Sequence, residues 1–372
     1  MGSRIKVLHV IGKRPKGGIG TFLINMHSNI DASKVQFEYL INAAISTGEF
    51  DQKVKALGGN VYVLPELTYK NTFKYLNELN KFFKEHNDYK IIHVHSVNIG
   101  LFNFLQANKY GIKHRIAHSH STKYSNNLIN GIRNFFLQMP INKLANIYFA
   151  CGIEAGNFLF GKKCVKNGQV YIANNAINPQ KFRFNRTLRE KVRNNLDING
   201  KFVIGHVGAF LPQKNHTFLI DVFNDIQKKN KQAMLLLVGT GDLENQIRDK
   251  VQRLKLEESV VFLGSRNDVN ELMQAFDVFL LPSLFEGVPL VGIEAQAAGL
   301  KCIMSDSITK EIKITELAEF ISLATPPKEW ANKVLKYMNG YNRRDTFEDI
   351  LNAGYEVKAA ARKLQDYYLN LK

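Results

Sequence analysis

The stretch Pro282-Ser-Leu-Phe-Glu-Gly-Val-Pro-Leu-Val-Gly-Ile-Glu-Ala-Gln-Ala-Ala-Gly299 decides how this chain is read. An apolar run, Asp277 to Leu281, leads into it as a strand. Pro289 is expected in the first turn of a helix, where its missing N–H costs nothing. Val291 to Ala298 reads as that helix, and Gly299 stops it. Glu286 lies on the loop and Glu294 about one turn inside the helix. Helical side chains lean toward the N-terminus, so Glu294 is expected to point back at the loop that holds Glu286. The unpaired N–H groups of the helix start face the same space. Two acceptor carboxylates beside backbone donors suit a ligand with many hydroxyls, such as a sugar or a ribose. An isolated pair of glutamates eight apart is usually a surface loop and an exposed helical side chain. The preceding strand, the G-V-P turn and the A-x-x-A-G ending favour the site.

Outward from this stretch the chain alternates strand and helix. Ile5 to Ile11 is a β-rich run, followed by a glycine loop and a helical pattern from Thr21. Strands follow at Gln36–Ile41, Val61–Leu64, Lys90–His95, His114–Ala117, Ile147–Ala150 and Val170–Ala173, with helices at Asp51–Leu57, Asn71–His86 and Leu101–Tyr110. A second series begins at Phe202–Val207 and runs through Ala233–Val238 and Val260–Leu263 to the opening stretch and Lys301–Met304. Such alternation predicts parallel sheets covered on both faces by helices. At 372 residues the chain exceeds one ordinary core. The expected class is α/β, with two Rossmann-like doubly wound domains, residues 1–180 and 181–354. Pro179 to Asn185 is the expected hinge. A last helix, 355–372, is expected to pack back on the first domain.

The net charge is +17, from 50 basic and 33 acidic residues. The excess points to anionic partners, such as nucleotide phosphates or anionic lipid. The basic residues are dispersed, which argues against a nucleic-acid arm. Cys151, Cys164 and Cys302 are odd in number and match neither a metal nor a disulfide spacing. A reducing cytoplasm is expected. The short Ile5–Ile11 run is no signal peptide, and no apolar run reaches the roughly 18 residues of a membrane span. Tyr124 to Leu144 mixes Leu128, Ile129, Ile132, Phe135, Phe136, Leu137 and Met139 with Lys123, Arg133 and Lys143 nearby, and holds no acid. It reads either as an amphipathic surface for lipid, possible peripheral contact with an anionic membrane, or as a helix whose apolar side is core.

Three further places could carry chemistry. Lys16-Gly-Gly-Ile-Gly20 sits at a strand-to-helix turn, where a backbone can approach an anion. It is not G-x-G-x-x-G, so a dinucleotide oxidoreductase or epimerase is disfavoured. Lys214 follows the first strand of the second half, where ligands of open α/β sheets bind, and can meet a phosphate as a point charge. His118 and His120 end a strand of the first half. With no D-x-D, a carboxylate-held metal is not indicated. Neither G-x-S-x-G nor H-E-x-x-H occurs.

Taken together, these stretches resemble the GT-B glycosyltransferases of family 4, in particular bacterial exopolysaccharide and capsule transferases. The likeness spans nearly the whole chain. It rests on G-G-I-G-T-F at Gly17, H-V-H-S at His93, H-S-H-S at His118, N-N-A-I-N at Asn174 and G-H-V-G-A-F-L-P-Q-K-N-H at Gly205. The opening stretch, from Leu281, and A-G-Y-E-V at Ala353 complete it. The resemblance implies two domains facing a cleft, the first for acceptor and the second for a nucleotide sugar, UDP-linked above others. Glu286 and the backbone of Gly287, Val288, Pro289 and Leu290 would hold the donor sugar, and Glu294 the ribose. Lys214 would bind the diphosphate, with Gly18 approaching it. His120 would lie near the sugar and leaving phosphate. Gly239 and the loop of Gly264, Ser265, Arg266 and Asn267 would pass the nucleotide. Glu286, His120 and Lys214 are the implied catalytic set. Such enzymes retain configuration and usually need no metal or cofactor. Acceptors would be a glycan, a lipid-linked glycan or a protein hydroxyl. The chain departs from the family at Ala209, where an arginine usually partners the lysine on the diphosphate. That departure supports the alternative of a weakened or inactive nucleotide-sugar-binding partner subunit.

Overall fold

The computed structural model describes residues 4–15, 17–43, 48–68, 70–121 and 128–371. They form two compact units. One comprises Met1–Ala176 with Val357–Lys372, the other Ile177–Glu356. The division falls four residues before the expected one.

The first unit carries a seven-stranded sheet of β1 (Ile5–Ile11), β2 (Val35–Asn42), β3 (Val61–Leu64), β4 (Ile91–Val94), β5 (His114–Ser119), β6 (Ile147–Ala150) and β7 (Val170–Ile172). Their order is β3-β2-β1-β4-β5-β6-β7, and every pair is parallel. The second unit carries β8 (Phe202–Val207), β9 (Ala233–Val238), β10 (Val260–Phe262), β11 (Val278–Leu281), β12 (Lys301–Ser305) and β13 (Ala318–Ile321). Their order is β10-β9-β8-β11-β12-β13, again parallel throughout. Parallel strands covered on both faces must be apolar on both, which is why β9 and β11 read as unbroken hydrophobic runs. Each sheet has an apolar layer on either side, one built around Phe279, Ile293 and Met304 and the other around Phe223, Leu237 and Trp330 in the second unit.

Strand order reverses between β1 and β4 in the first sheet and between β8 and β11 in the second. Loops leaving two such strands diverge to opposite faces and open a crevice at their carboxyl ends. Both glutamates and Lys214 belong to elements that follow β8 and β11 at the second switch point, while His118 and His120 lie at the end of β5, one strand beyond the first.

The structure differs from the sequence reading in several places. The first helix spans Gly18–Asn29, so the glycine loop is itself the first turn rather than a lead-in to Thr21. Gly17 before it has φ +67°, a conformation that favours glycine. Pro289 is the cap of the site helix, Leu290–Ala297, and not within its first turn. The stretch expected as the hinge is not an open linker. Pro179–Phe182 is a helical turn with both end residues buried, and Asn185 Oδ1 caps the next helix, Arg186–Asn195, by accepting from Leu188 N at 2.8 Å. The final helix, Val357–Asn370, belongs to the first unit. It buries Val357, Ala361, Leu364 and Tyr368 beside Phe22 and Phe37 in one apolar layer.

Candidate functional site

The second unit's site is assembled by two loops. After β8 the chain passes Gly208 and Ala209 and makes one 3-10 turn, Pro212–Lys214. Asn215 then adopts a left-handed conformation, φ 55°, before the His216–Lys229 helix. After β11 the second loop carries Ser283 to Pro289. The loops are tied together. Leu284 N donates to Gln213 O at 2.8 Å, and Asn215 Nδ2 donates to Pro282 O at 3.2 Å.

These ties bring Lys214 Nζ to 2.5 Å from Glu286 Oε1, with both side chains only about a tenth exposed, 12% and 11%. Ser283 Oγ donates to the same oxygen at 2.9 Å. A carboxylate held by a lysine and a hydroxyl is fixed in orientation. Ser283 and Asn215 were not singled out in the sequence; their only signal is position inside two motif loops. Glu294 lies in the second turn of its helix, half-buried, and no hydrogen bond links it to Glu286. Among the described residues no side-chain or backbone donor reaches its carboxyl. Burial therefore lifts its pKa to about 7.

Glycine shapes the floor. Gly239 has φ +140°, and a Cβ there would come within 2.2 Å of Gly208 O. Its N–H donates to Gly264 O at 2.8 Å. Gly239 thus lets the β9 and β10 ends press against the Gly208 loop. A Cβ on Gly208 would meet the Lys214 side chain at 3.0 Å. His206 beneath it has Nδ1 2.8 Å from Leu280 O, which marks Nδ1 as the protonated nitrogen. Ala209 is exposed, as are Ser265, Arg266 and Asn267, with Arg266 paired to Asp268. Gly287 is exposed, Val288 and Leu290 are half-buried, and Pro289 is buried.

In the first unit, Gly18 is exposed and its carbonyl accepts from Asn175 Nδ2 at 3.1 Å. Lys16 lies outside the described residues. Lys13 is paired with Glu66 at 2.9 Å. His120 is half-buried, and its Nε2 lies 2.9 Å from His95 Nδ1. A cavity of about 780 Å³ opens at the ends of β1 and β4. It combines Lys13, Arg14 and Arg133 with Ile99, Phe102 and Leu137. Of the acid-free stretch, Tyr124 to Asn127 lie outside the described residues. The Leu128–Gln138 helix exposes Ile132, Phe135 and Phe136, and Met139 after it is exposed too. The core alternative therefore fails for those four side chains, while Ile141 is buried. Among the described residues no helix is long and apolar enough to cross a membrane.

Residues 189–350 match the family described as Glycosyl transferases group 1. The chain is 30% identical to the "Putative glycosyltransferase EpsF" of Bacillus subtilis, over 98% of this chain and 97% of that one. It is 26% identical to the UDP-Gal:alpha-D-GlcNAc-diphosphoundecaprenol alpha-1,3-galactosyltransferase of Escherichia coli, over 80% and 79%. Its fold superposes on Anabaena Alr3699/HepE in complex with UDP with a TM-score of 0.72, at 18% identity, covering 98% and 95%. Two parallel-sheet Rossmann-like units with loops of this form are the GT-B architecture. The chain belongs to the group 1 glycosyltransferases, the GT-B family that also holds bacterial exopolysaccharide and capsule transferases.

Proposed function

We propose that this glycosyltransferase moves a sugar from a UDP-sugar to a glycan, lipid-linked glycan or protein hydroxyl, with retention and without a metal, in synthesis of a bacterial surface glycan. The observation that carries the reading is the Lys214–Glu286 pair, built by two switch-point loops beside the Leu290–Ala297 helix start. On donor binding, Lys214 turns to the diphosphate and Glu286 to the sugar hydroxyls. The backbone from Gly287 to Leu290 lines the sugar, Glu294 accepts from the ribose, and Gly239 with Gly264 to Asn267 borders the base. A leaving-phosphate oxygen takes the acceptor proton on the face it departs from. The UDP bound by Alr3699/HepE and the UDP-Gal named for the Escherichia coli relative support the choice of donor. That relative's diphosphoundecaprenol acceptor supports a lipid-linked one here. The cationic and apolar lining of the first unit's cavity suits such an acceptor, and the exposed apolar face of the Leu128–Gln138 helix suits a peripheral place on the inner face of the cell membrane.

The test is release of UDP from a panel of UDP-sugars with glycan, lipid-linked and peptide acceptors, followed by the anomeric configuration of the product. Acceptor-dependent release with retention is the expected result, and it should survive chelation. A second reading, a binding subunit with little activity of its own, is favoured by Ala209 standing exposed where the family carries an arginine. It predicts UDP binding with no release from any donor.

A further inference from the structure

Five histidines stand in two rows at the carboxyl ends of β1, β4 and β5. In one row His9 Nδ1 is 2.9 Å from His95 Nε2, and His95 Nδ1 is 2.9 Å from His120 Nε2. In the other, Tyr368 Oη is 2.6 Å from His93 Nδ1, and His93 Nε2 is 3.0 Å from His118 Nδ1. The rows stack on each other, His93 on His95 at 4.3 Å and His118 on His120 at 3.9 Å between ring centres. All but His120 are fully buried. Burial penalises the cation, so His9, His93, His95 and His118 titrate well below the usual histidine range, and His120 is pulled down to about 3.

Each ring is therefore neutral at physiological pH, with one N–H and one lone pair. In a row of N–H···N bonds the tautomers are coupled, because reversing one ring would set two lone pairs or two protons against each other. The His9–His95–His120 row has two consistent states, with the proton on Nε2 of all three rings or on Nδ1 of all three. Its inner end decides between them. His9 Nε2 is buried without a hydrogen-bond partner. The ring sits among aromatic neighbours, 4.2 Å from Phe37 and edge-on to Tyr368 at 6.4 Å. An N–H in such surroundings can rest against a π face, whereas a bare lone pair gains nothing there. A free neutral histidine also prefers its proton on Nε2. Both arguments select the same state.

We infer that His9, His95 and His120 act as one tautomeric unit, protonated on Nε2 throughout, which presents His120 Nδ1 as a bare acceptor for a ligand hydroxyl. Among the described residues no protein group meets that nitrogen, and the ring is half-exposed. A lone pair there accepts from a sugar hydroxyl and repels an anionic oxygen. His120 is thus a hydroxyl reader rather than an acid toward the leaving phosphate, and His95 is the positioning residue behind it. The inference rests on the proposed function only for which sugar supplies the hydroxyl.

The test is nitrogen NMR of the 15N-histidine-labelled full chain at neutral pH. The expected result is an unprotonated Nδ1 and a protonated Nε2 on His120, with a through-hydrogen-bond coupling between His120 Nε2 and His95 Nδ1. A protonated His120 Nδ1 would overturn it. So would stoichiometric transition metal in the purified protein. His9, His93 and His95, and also His95, His118 and His120, bring ligand nitrogens within 4.8 Å, and a metal would take the lone pairs that these bonds use. His95→Leu should release the His120 tautomer and lower kcat/KM by about tenfold or more. His95→Asn, whose amide oxygen can stand near the lost Nδ1, should restore both. A leucine variant with unchanged tautomer and rate would also sink the idea. If it does not fold, the wild-type coupling and the asparagine variant still decide. The tautomer readout is independent of transfer, so a failure of the functional reading is seen separately.

Discussion

At the scale of single residues the proposed site sets two carboxylates in unlike surroundings. Glu286 is held in place by Lys214 and Ser283. Glu286→Gln keeps the shape and can still bond to Ser283, so the protein should fold while transfer falls about 10²-fold or more, read as UDP release. Glu286→Ala is a poorer probe, because it leaves Lys214 buried without its partner. Glu294 has no such support, and its folded pKa of about 7 stands above the value of 4.5 for an unburied carboxyl. Between those values the folded chain binds a proton that the unfolded chain does not. Stability from this group is full below about 4.5 and is lost as pH rises through about 7. Glu294→Gln should therefore raise Tm at pH 8 and leave it unchanged at pH 4.5. In the proposed ribose-binding role the ionised carboxylate is the stronger acceptor. Affinity for a UDP-sugar, whose phosphates do not titrate here, should weaken about tenfold per pH unit below 7 and become flat in Glu294→Gln, measured by calorimetry. Ala209→Arg would add a bidentate cation one loop away from Lys214. UDP should bind about tenfold tighter, and calorimetry showing equal or weaker binding would mean the site is complete without it.

At the scale of elements, the loops are precise because glycines let their backbones meet. Gly239 matters for packing as well as for the proposed place beside the nucleotide. Gly239→Ala would place a methyl group against Gly208 O in a backbone conformation that side chains avoid. The variant should lose about 1–3 kcal/mol in chemical denaturation and bind UDP more weakly, since the same loop carries Lys214. The helix Leu290–Ala297 shows what local pattern can do. Its strand, glutamates and terminal glycine are all recognisable from the sequence, while the helix begins and ends one residue earlier than the pattern suggests and Pro289 moves from the first turn to the cap. The glycine loop moved the other way, into the first helical turn at Gly18. Helix ends are set by capping and packing to within a residue or two, which pattern alone does not resolve.

At the scale of the whole molecule, the chain leaves the first unit after Ala176 and returns to it at Val357. Its last helix completes the first unit's core with Tyr368 against the histidine rows. The chain carries an excess of positive charge, and the Leu128–Gln138 helix has an exposed apolar face. Ile132, Phe135, Phe136 and Met139 are exposed around Arg133. We expect the protein to float with anionic liposomes at low salt and to be released by salt, each basic side chain near the surface adding about 1 kcal/mol. A Phe136→Ser, Met139→Ser pair should weaken flotation without changing Tm, because neither side chain is buried. Absence of lipid-bound protein at low salt would reject this role for the face.

The sequence by itself determined the alternation of strands and helices, the α/β class and the two loops of the candidate site, because periodicity, proline and glycine act over a few residues. It also carried the family, through motifs that sit at strand ends. Tertiary structure decided the rest. That Lys214 meets Glu286, 72 positions away, follows from strand order, with β8 lying next to β11. That Glu294 is poised near neutrality follows from burial. Two H-x-H pairs were visible as motifs at strand ends, but their union with His9 and Tyr368 was not. It needed β1, β4 and β5 side by side and a helix returning from residue 357, and adjacency across a sheet is a property of topology that no local stretch encodes.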